Sequence, residues 1–283
     1  MTPVQLSFLK MHGLGNDFVI IDGFANPAPQ ITPELARKIG DRRFGVGFDQ
    51  LLIVGLPRSA GAERGDARMD ILNSDGSTAE MCGNGIRAVA LFLTRHSPLR
   101  GKTRYTIETL DGLKSVSISM TPDGEQVTVD MGEPWVADKA SGDGETLEIE
   151  GRRFRFHEIT TGNPHAVFFV GSRKELETLA LETLGPKIET HPRFPRKTNV
   201  EFVFVESPSS IHVRVWERGA GITLACGTGA CASATAALVS GRAQGELTVH
   251  LPGGKLWISW AGAGHSLLMR GPATEVFRGE MIL

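Results

Sequence analysis

Apolar residues along this chain fall mostly at alternate positions or in short β-branched runs, a pattern that predicts strands more often than helices. Such runs cover Asp17–Asp22, Gln50–Gly55, Arg104–Leu110, Lys114–Met120, Gln126–Met131, His165–Val170, Val200–Glu206, Ile211–Trp216 and Glu246–Trp260. The last is interrupted by Pro252-Gly253-Gly254, a hairpin signal. Two surface helices carry start signals. Thr32-Pro33-Glu34 offers an N-cap followed by proline at the first helical position. Ser172-Arg173-Lys174-Glu175 has capping-box spacing, with Leu176, Leu179 and Ala180 on one face behind it.

Two further helices are apolar nearly all round. One runs from about Asn84 to Thr94, the other from about Thr228 to Val239, and the second is built largely of alanine. A helix without a polar face belongs inside a protein. Two such helices among many strands predict two units, each a curved sheet wrapped on its own buried helix. A repeat supports this. Aligning Cys82 with Cys226 lays Cys82-Gly83-Asn84-Gly85 on Cys226-Gly227-Thr228-Gly229, each opening an apolar helix. Asn73 and Glu217 precede the two cysteines by the same interval, and Gly15-Asn16 upstream matches Gly162-Asn163. Gln50 and Asn199 open corresponding apolar strands. Self-similarity at half the chain length indicates duplication, so the two domains are pseudo-symmetric and are expected to face one another. The Gly/Ser/charge-rich segments Pro57–Ala67 and Ala137–Glu145 read as exposed loops. A crossover near the second places one domain at residues 1–124 and the other at 125–271.

Composition narrows the function classes. The 283 residues carry a net charge of -2 and no Lys/Arg run, so nothing attracts nucleic acid. No apolar run approaches the roughly 18 to 20 residues of a membrane helix, and Met1–Lys10 lacks the pattern of a signal peptide. Only three cysteines are present, Cys82, Cys226 and Cys231, too few for a disulfide scaffold. The expectation is a cytoplasmic protein with reduced thiols and no membrane or nucleic-acid partner.

The cysteines carry the chemistry. A cysteine just before Gly-x-Gly and an apolar helix sits at a helix N-terminus, where free N–H groups and the positive dipole end favour thiolate. The same N–H groups bind carboxylates. One motif alone reads as a small packed side chain; two, on facing domains, would grip a single carboxylate with a sulfur on each side of its α-carbon. Inverting that carbon needs one base on each face, and a thiol with an ordinary pKa of ~8.5 suits both roles. Charge building on the substrate carboxylate would be held by the helix N-termini. No C-x-x-C occurs, and His165 and Glu217 lack the further ligands zinc needs, so neither cofactor nor metal is expected. Cys231 reads as core. Glu217 suits an ammonium and Arg218 a carboxylate, or the two are an ordinary surface ion pair. Asn16, Asn73, Asn163 and Asn199 are substrate contacts or turn residues. His165 is a proton handler or an ordinary loop histidine. His12, His96, His157, His191, His212, His250 and His265 show no usable constellation.

At these positions the sequence resembles the diaminopimelate epimerase family. The resemblance runs through Met11-His12-Gly13-Leu14-Gly15-Asn16-Asp17-Phe18, Asn73-Ser74-Asp75-Gly76-Ser77, Met81-Cys82-Gly83-Asn84-Gly85, Gly162-Asn163-Pro164-His165, Thr198-Asn199-Val200-Glu201, and Glu217-Arg218-Gly219 through Ala225-Cys226-Gly227-Thr228-Gly229-Ala230. It implies interconversion of LL- and meso-diaminopimelate in lysine and peptidoglycan precursor synthesis, without pyridoxal phosphate or metal. Cys82 and Cys226 would be the two bases, assisted by His165 and Glu217. Gly83, Asn84, Gly227 and Thr228 would hold the reacting carboxylate. Asn16, Gln50, Asn73, Asn163, Asn199, Glu217 and Arg218 would contact the rest of the substrate. The family fold implies an α/β (α+β) chain of two pseudo-symmetric domains, each a mixed, mostly antiparallel sheet rolled around a central buried helix, with residues 272–283 returning to the first domain, and the resemblance implies a homodimer. Two other readings stay open: a cysteine-pair racemase resembling proline racemase, against which Asn84 and Arg218 count, and a non-catalytic amino-acid binding protein.

Overall fold

A computed structural model describes residues 5–24, 31–61, 64–137 and 142–282. In chain order the elements are β1 (Gln5–Gly13), β2 (Asn16–Asp22), α1 (Pro33–Gly40), β3 (Gln50–Gly55), β4 (Ala67–Asn73), α2 (Gly83–His96), β5 (Arg104–Thr109), β6 (Gly112–Thr121) and β7 (Gly124–Asp130). The chain continues through β8 (Trp135–Val136), β9 (Glu145–Ile149), β10 (Arg152–Thr160), β11 (Pro164–Phe169), α3 (Arg173–Thr178), α4 (Leu181–Glu189), β12 (Asn199–Ser207) and β13 (Ser210–Glu217). It ends with β14 (Gly221–Ile222), α5 (Gly227–Val239), β15 (Leu247–Leu251), β16 (Gly254–Trp260), β17 (Leu267–Gly271) and β18 (Thr274–Ile282). The contacts divide this chain into two compact units. The first holds the described residues up to Val129 and those from Gly271 on; the second holds Asp130–Arg270. The first division falls five residues beyond 124, because β7 is the closing strand of a hairpin with β6.

Within the first unit β1 pairs antiparallel with β18 and β2, β2 parallel with β3, and β3 antiparallel with β4. β4 then runs parallel to β5, and β5–β6–β7 form an antiparallel meander. The second unit repeats this plan. β10 pairs antiparallel with β11, β11 parallel with β12, β12 antiparallel with β13, and β13 parallel with β15, from which β15–β16–β17 again meander. The strands β8 and β9 flank β10 as β18 flanks β1.

Each sheet has a helix on either face, so its central strands are apolar on both sides. In the first unit Val19, Ile21 and Leu51 pack with Ala36 and Ile39 of α1, while the alternate residues Phe18, Ile20 and Leu52 turn inward, fully buried. α2 is the inner helix and is buried from Gly83 through Leu93. In the second unit Ala166, Phe168, Val200 and Phe202 pack with Leu176 of α3 and Leu181 and Ile188 of α4. The inner helix α5 touches β10, β11, β12, β13, β15 and β16. Its Ala230, Cys231, Ala232, Ala234, Ala236 and Ala237 have no exposed surface, and their small side chains let the strands approach the helix closely.

Both start signals operate. Thr32 Oγ1 accepts from Leu35 N–H at 3.2 Å, and Ser172 Oγ from Glu175 N–H at 3.1 Å. The helix after Ser172 stops at Thr178, with Leu179 as its C-cap, and a separate helix follows. The two loops expected to be exposed are shorter than expected, since Ala67 opens β4 and Glu145 opens β9; residues 62–63 and 138–141 lie outside the described residues. Among the described residues no helix is long and apolar enough to cross a membrane.

Candidate active site

Each cysteine caps the inner helix of its unit. In the first unit Cys82 is the N-cap of α2, with extended backbone, and its Sγ accepts from Gly85 N–H at 3.2 Å. The β1–β2 hairpin delivers Asn16 beside it. Its two-residue loop, Leu14-Gly15, takes positive φ at both positions (57° and 89°), the twist a tight hairpin requires. Asn16 Oδ1 then accepts from Asn84 Nδ2 at 3.3 Å and faces Cys82 Sγ at 3.8 Å. Asn84 is itself oriented by Arg87, which donates to Asn84 Oδ1 at 3.0 Å, to the Gly83 carbonyl at 3.0 Å and to the Pro272 carbonyl at 3.1 Å. Arg87 has no exposed surface. On β3 and β4, Gln50 and Asn73 stand opposite each other, and Gln50 Nε2 donates to Asn73 Oδ1 at 3.1 Å. Oε1 of Gln50 is buried and has no hydrogen-bond partner among the described residues.

In the second unit Cys226 caps α5, its Sγ accepting from Gly229 N–H at 3.3 Å with Thr228 Oγ1 at 3.4 Å. Burial, reinforced by the charges of Glu217 and Glu201, pushes this thiol well above its ordinary value; Thr228 and the Gly229 N–H oppose the shift less strongly. Glu217 accepts from Thr223 Oγ1 at 2.5 Å. Asn199 holds the turn that presents Arg218. Its Nδ2 donates to the Pro164 carbonyl at 2.9 Å, and its Oδ1 accepts from Arg218 N–H at 2.9 Å. The Arg218 guanidinium is exposed and donates to the Arg196 carbonyl at 3.3 Å. His165 lies between two partners, Nδ1 2.7 Å from Glu201 Oε1 and Nε2 2.8 Å from Asn163 Oδ1. Thr161 Oγ1 donates to the Thr228 carbonyl at 3.1 Å, tying this hairpin to the first turn of α5.

The strand registers make the correspondence between the units explicit. Phe18 pairs with Gln50 across the parallel strands of one unit as His165 pairs with Asn199 in the other. Two residues further on, Leu52 corresponds to Glu201. A β-carbon at Gly85 would meet Leu52 Cδ1 at 3.2 Å; one at Gly229 would meet Glu201 Oε1 at 2.8 Å. Under one cysteine cap lies an apolar pair, under the other a buried histidine and carboxyl group. Burial pushes the Glu201 carboxyl above its usual range, His165 opposes that, and the Glu217 charge adds to it.

A model for diaminopimelate epimerase matches residues 8–136 and 158–276. The diaminopimelate epimerase of Desulfitobacterium hafniense is 49% identical over 98% of each chain, and diaminopimelate epimerase 1 of Nostoc sp. is 46% identical over 98% of this chain and all of that one. The chain belongs to the diaminopimelate epimerase family. Solved structures share the fold of this family member at lower identity. A PhzF-family phenazine biosynthesis protein of Bacillus anthracis matches with a TM-score of 0.74 at 17% identity, covering 99% of this chain and 100% of that one. A hydroxyproline epimerase of Agrobacterium vitis matches at 0.70 and 17%, covering 99% and 93%.

For this epimerase family member, sequence reasoning named the caps, the asparagines, His165, Glu217 and Arg218, but not three residues that support them. Glu201 stands in the sequence only as the last residue of the motif Thr198-Asn199-Val200-Glu201. Arg87 reads in sequence as the polar side of an apolar helix, and Asp49, which accepts from Asn16 Nδ2 at 2.8 Å, carries no motif signal. Two of the remaining histidines, His212 and His250, are brought together by the fold. Neighbours across β13 and β15, they stack with ring centroids 4.4 Å apart and planes 14° apart, and Glu206 lies within 4.8 Å of both. Nearly parallel stacked rings aim their in-plane lone pairs side by side rather than at one point, so they do not converge as metal ligands do.

Proposed function

We propose that this chain interconverts LL- and meso-2,6-diaminopimelate by passing the α-proton between Cys82 and Cys226. The carrying observation is that each unit places a cysteine at the N-cap of its inner helix, with the sulfur on the glycine N–H three residues on. A thiolate on one face takes the α-proton, forming S–H. The electron pair left on carbon spreads into the substrate carboxylate, which the helix N-terminal dipoles favour. The second thiol then gives its proton to the opposite face of the carbon, and the reverse reaction exchanges the roles. The raised Cys226 thiol suits that residue to enter as the donor.

Around this exchange, Gly83, Asn84, Gly227 and Thr228 in the two capping turns hold the reacting carboxylate. Asn16, Asn163, Gln50, Asn73 and Glu217 contact the rest of the substrate, Glu217 its ammonium; the buried, unpartnered Oε1 of Gln50 is an acceptor suited to an N–H donor. Arg218, with its backbone held by Asn199, reads the distal carboxylate. His165 and Glu217 assist the thiols. The reaction draws on neither pyridoxal phosphate nor metal and serves lysine and peptidoglycan precursor supply in the cytoplasm, with the chain acting as a homodimer.

Incubation with LL-diaminopimelate in deuterated water tests this reading. The expected result is meso product carrying deuterium at the inverted carbon. Cys82→Ala and Cys226→Ala should each lose at least a thousandfold in rate, about 4 kcal/mol of transition-state stabilisation. Either variant retaining more than a tenth of the wild-type rate would contradict the two-base assignment, and preferred turnover of proline would move the chain to the racemase reading.

A further inference from the structure

The twin units show that this fold does not require a carboxyl group beneath a cysteine cap. Where the first unit buries Phe18 and Leu52, the second buries His165 and Glu201, and all four have no exposed surface. A buried ion-forming pair stabilises a core less than well-packed apolar side chains of similar size. Glu201 is also incompletely satisfied, because its Oε2 is buried with no hydrogen-bond partner among the described residues. Its Oε1 lies 2.7 Å from His165 Nδ1. Space for that oxygen is left by Gly229, whose missing β-carbon would stand 2.8 Å from Oε1 and 3.3 Å from Cys226 Sγ. The carboxyl oxygen and the sulfur are therefore no farther apart than the sum of those two distances. Stability does not explain the pair, and its place beside the capping turn does.

We infer that Glu201 is a positioning residue for epimerisation: it holds the Nδ1–H of His165, leaving Nε2, on the Asn163 side, as the ring nitrogen that exchanges a proton. A fixed partner on one ring nitrogen sets both the tautomer and the ring plane, so the other nitrogen is presented without rotation. Asn163 is half-buried, and its amide can turn to present either oxygen or NH2 as the ring changes protonation. The inference rests on the reading of His165 as a proton-handling group.

The first measurement uses the wild-type protein. A nitrogen-15 histidine spectrum, with His165 assigned by its loss in His165→Gln, should show the proton on Nδ1; a proton on Nε2 with Nδ1 bare would overturn the inference. The second is a kinetic split. Glu201→Gln should lower kcat about 10- to 100-fold while KM for diaminopimelate stays within about twofold; wild-type kcat would overturn it. The third separates chemistry from folding. His165→Phe with Glu201→Leu installs the pair that the first unit already packs, and should melt at or above the wild-type temperature yet fail to epimerise. A lower melting temperature would instead assign the pair to stability. Full activity in His165→Gln would defeat the underlying reading of His165. An inactive His165→Gln beside a fully active Glu201→Gln would defeat this inference alone.

Discussion

The two capping turns share a backbone and differ in what surrounds it. Around Cys82 the buried charge is a cation, Arg87, and the strands beneath contribute Phe18 and Leu52. Around Cys226 the position matching Arg87 is Cys231, buried and small, and the strands contribute His165 and Glu201, with Glu217 where the first unit has Asn73. A thiolate gains from a nearby cation and loses from nearby carboxylates. Duplication has thus preserved the device that holds a sulfur at a helix N-terminus, while side-chain divergence has placed unlike charged groups around the two capping turns. Apolar and ionic versions of one site, on one fold, also show which side chains the fold itself demands and which it only tolerates.

Removing the cation should produce the largest effect on the first half. Arg87→Met leaves the Gly83 and Pro272 carbonyls and Asn84 Oδ1 without the donor they now share. Buried acceptors left unmade cost on the order of 1–3 kcal/mol each, partly offset by the added apolar side chain. The expected loss is about 3 kcal/mol in urea unfolding, with weakened substrate turnover because Asn84 loses its orientation. The matching change in the second half, Cys231→Ala, should cost roughly 1 kcal/mol. Equal losses at the two positions would show that Arg87 is an incidental buried side chain and not the support of its turn.

The glycines three residues after each cysteine sharpen the comparison. Gly85→Ala brings a methyl to 3.2 Å from Leu52 Cδ1, a flexible end that can swing away. Gly229→Ala brings one to 2.8 Å from Glu201 Oε1, an oxygen that His165 holds in place. Alanine gains about 0.5–1 kcal/mol over glycine in a helix, which should leave Gly85→Ala near wild-type stability. Gly229→Ala should lose about 2 kcal/mol, as overpacking does, and about tenfold in rate. Chemical denaturation and kcat, measured side by side, check this; two indistinguishable variants would remove the claim that Glu201 is rigidly placed.

How much of this the sequence discloses depends on whether a residue's neighbours are local. The caps at Cys82 and Cys226 are legible because a glycine-flanked cysteine and an apolar helix are contiguous. The strand Gln50–Gly55 is legible by its β-branched run, and the repeat by its spacing. The charged strand β10 and the exposed strand β18 escape because their outer faces are polar, and α4 because Pro186 lies inside it. Glu201 is hidden for a different reason. Its strand is covered on both faces, so alternation between Val200, Glu201 and Phe202 does not say which way the carboxyl group points. Only the helix on that side decides it. Arg87 likewise reads as the solvent edge of α2 until the Pro272 carbonyl, contributed by the returning chain, is placed against it.

The smallest expected effect concerns how each half anchors the asparagine at its hairpin. In the first unit, Asp17 follows Asn16 and is gripped by Lys10 and Arg42, with Asp49 closing the network. In the second, Pro164 follows Asn163, and no carboxylate stands there. Burial alone would raise the Asp17 carboxyl, but hydrogen bonds and charge from Arg42 and Lys10 outweigh it and hold the pKa at about 2, below the usual 3.8. A carboxyl depressed on folding contributes stability that is complete above its unfolded value and is lost as pH falls through the folded one. Solvent at Arg42, whose side chain is 57% exposed, discounts the full shift. Asp17→Asn should therefore cost on the order of 1–2 kcal/mol at pH 7. The gap between variant and wild type should narrow as pH drops below 3.8 and nearly vanish around 2. Urea midpoints across that range measure it. A gap that stays constant with pH would mean that the asparagine substitution acts through shape, and that the charged anchor of the first hairpin is no stronger than the uncharged one of the second.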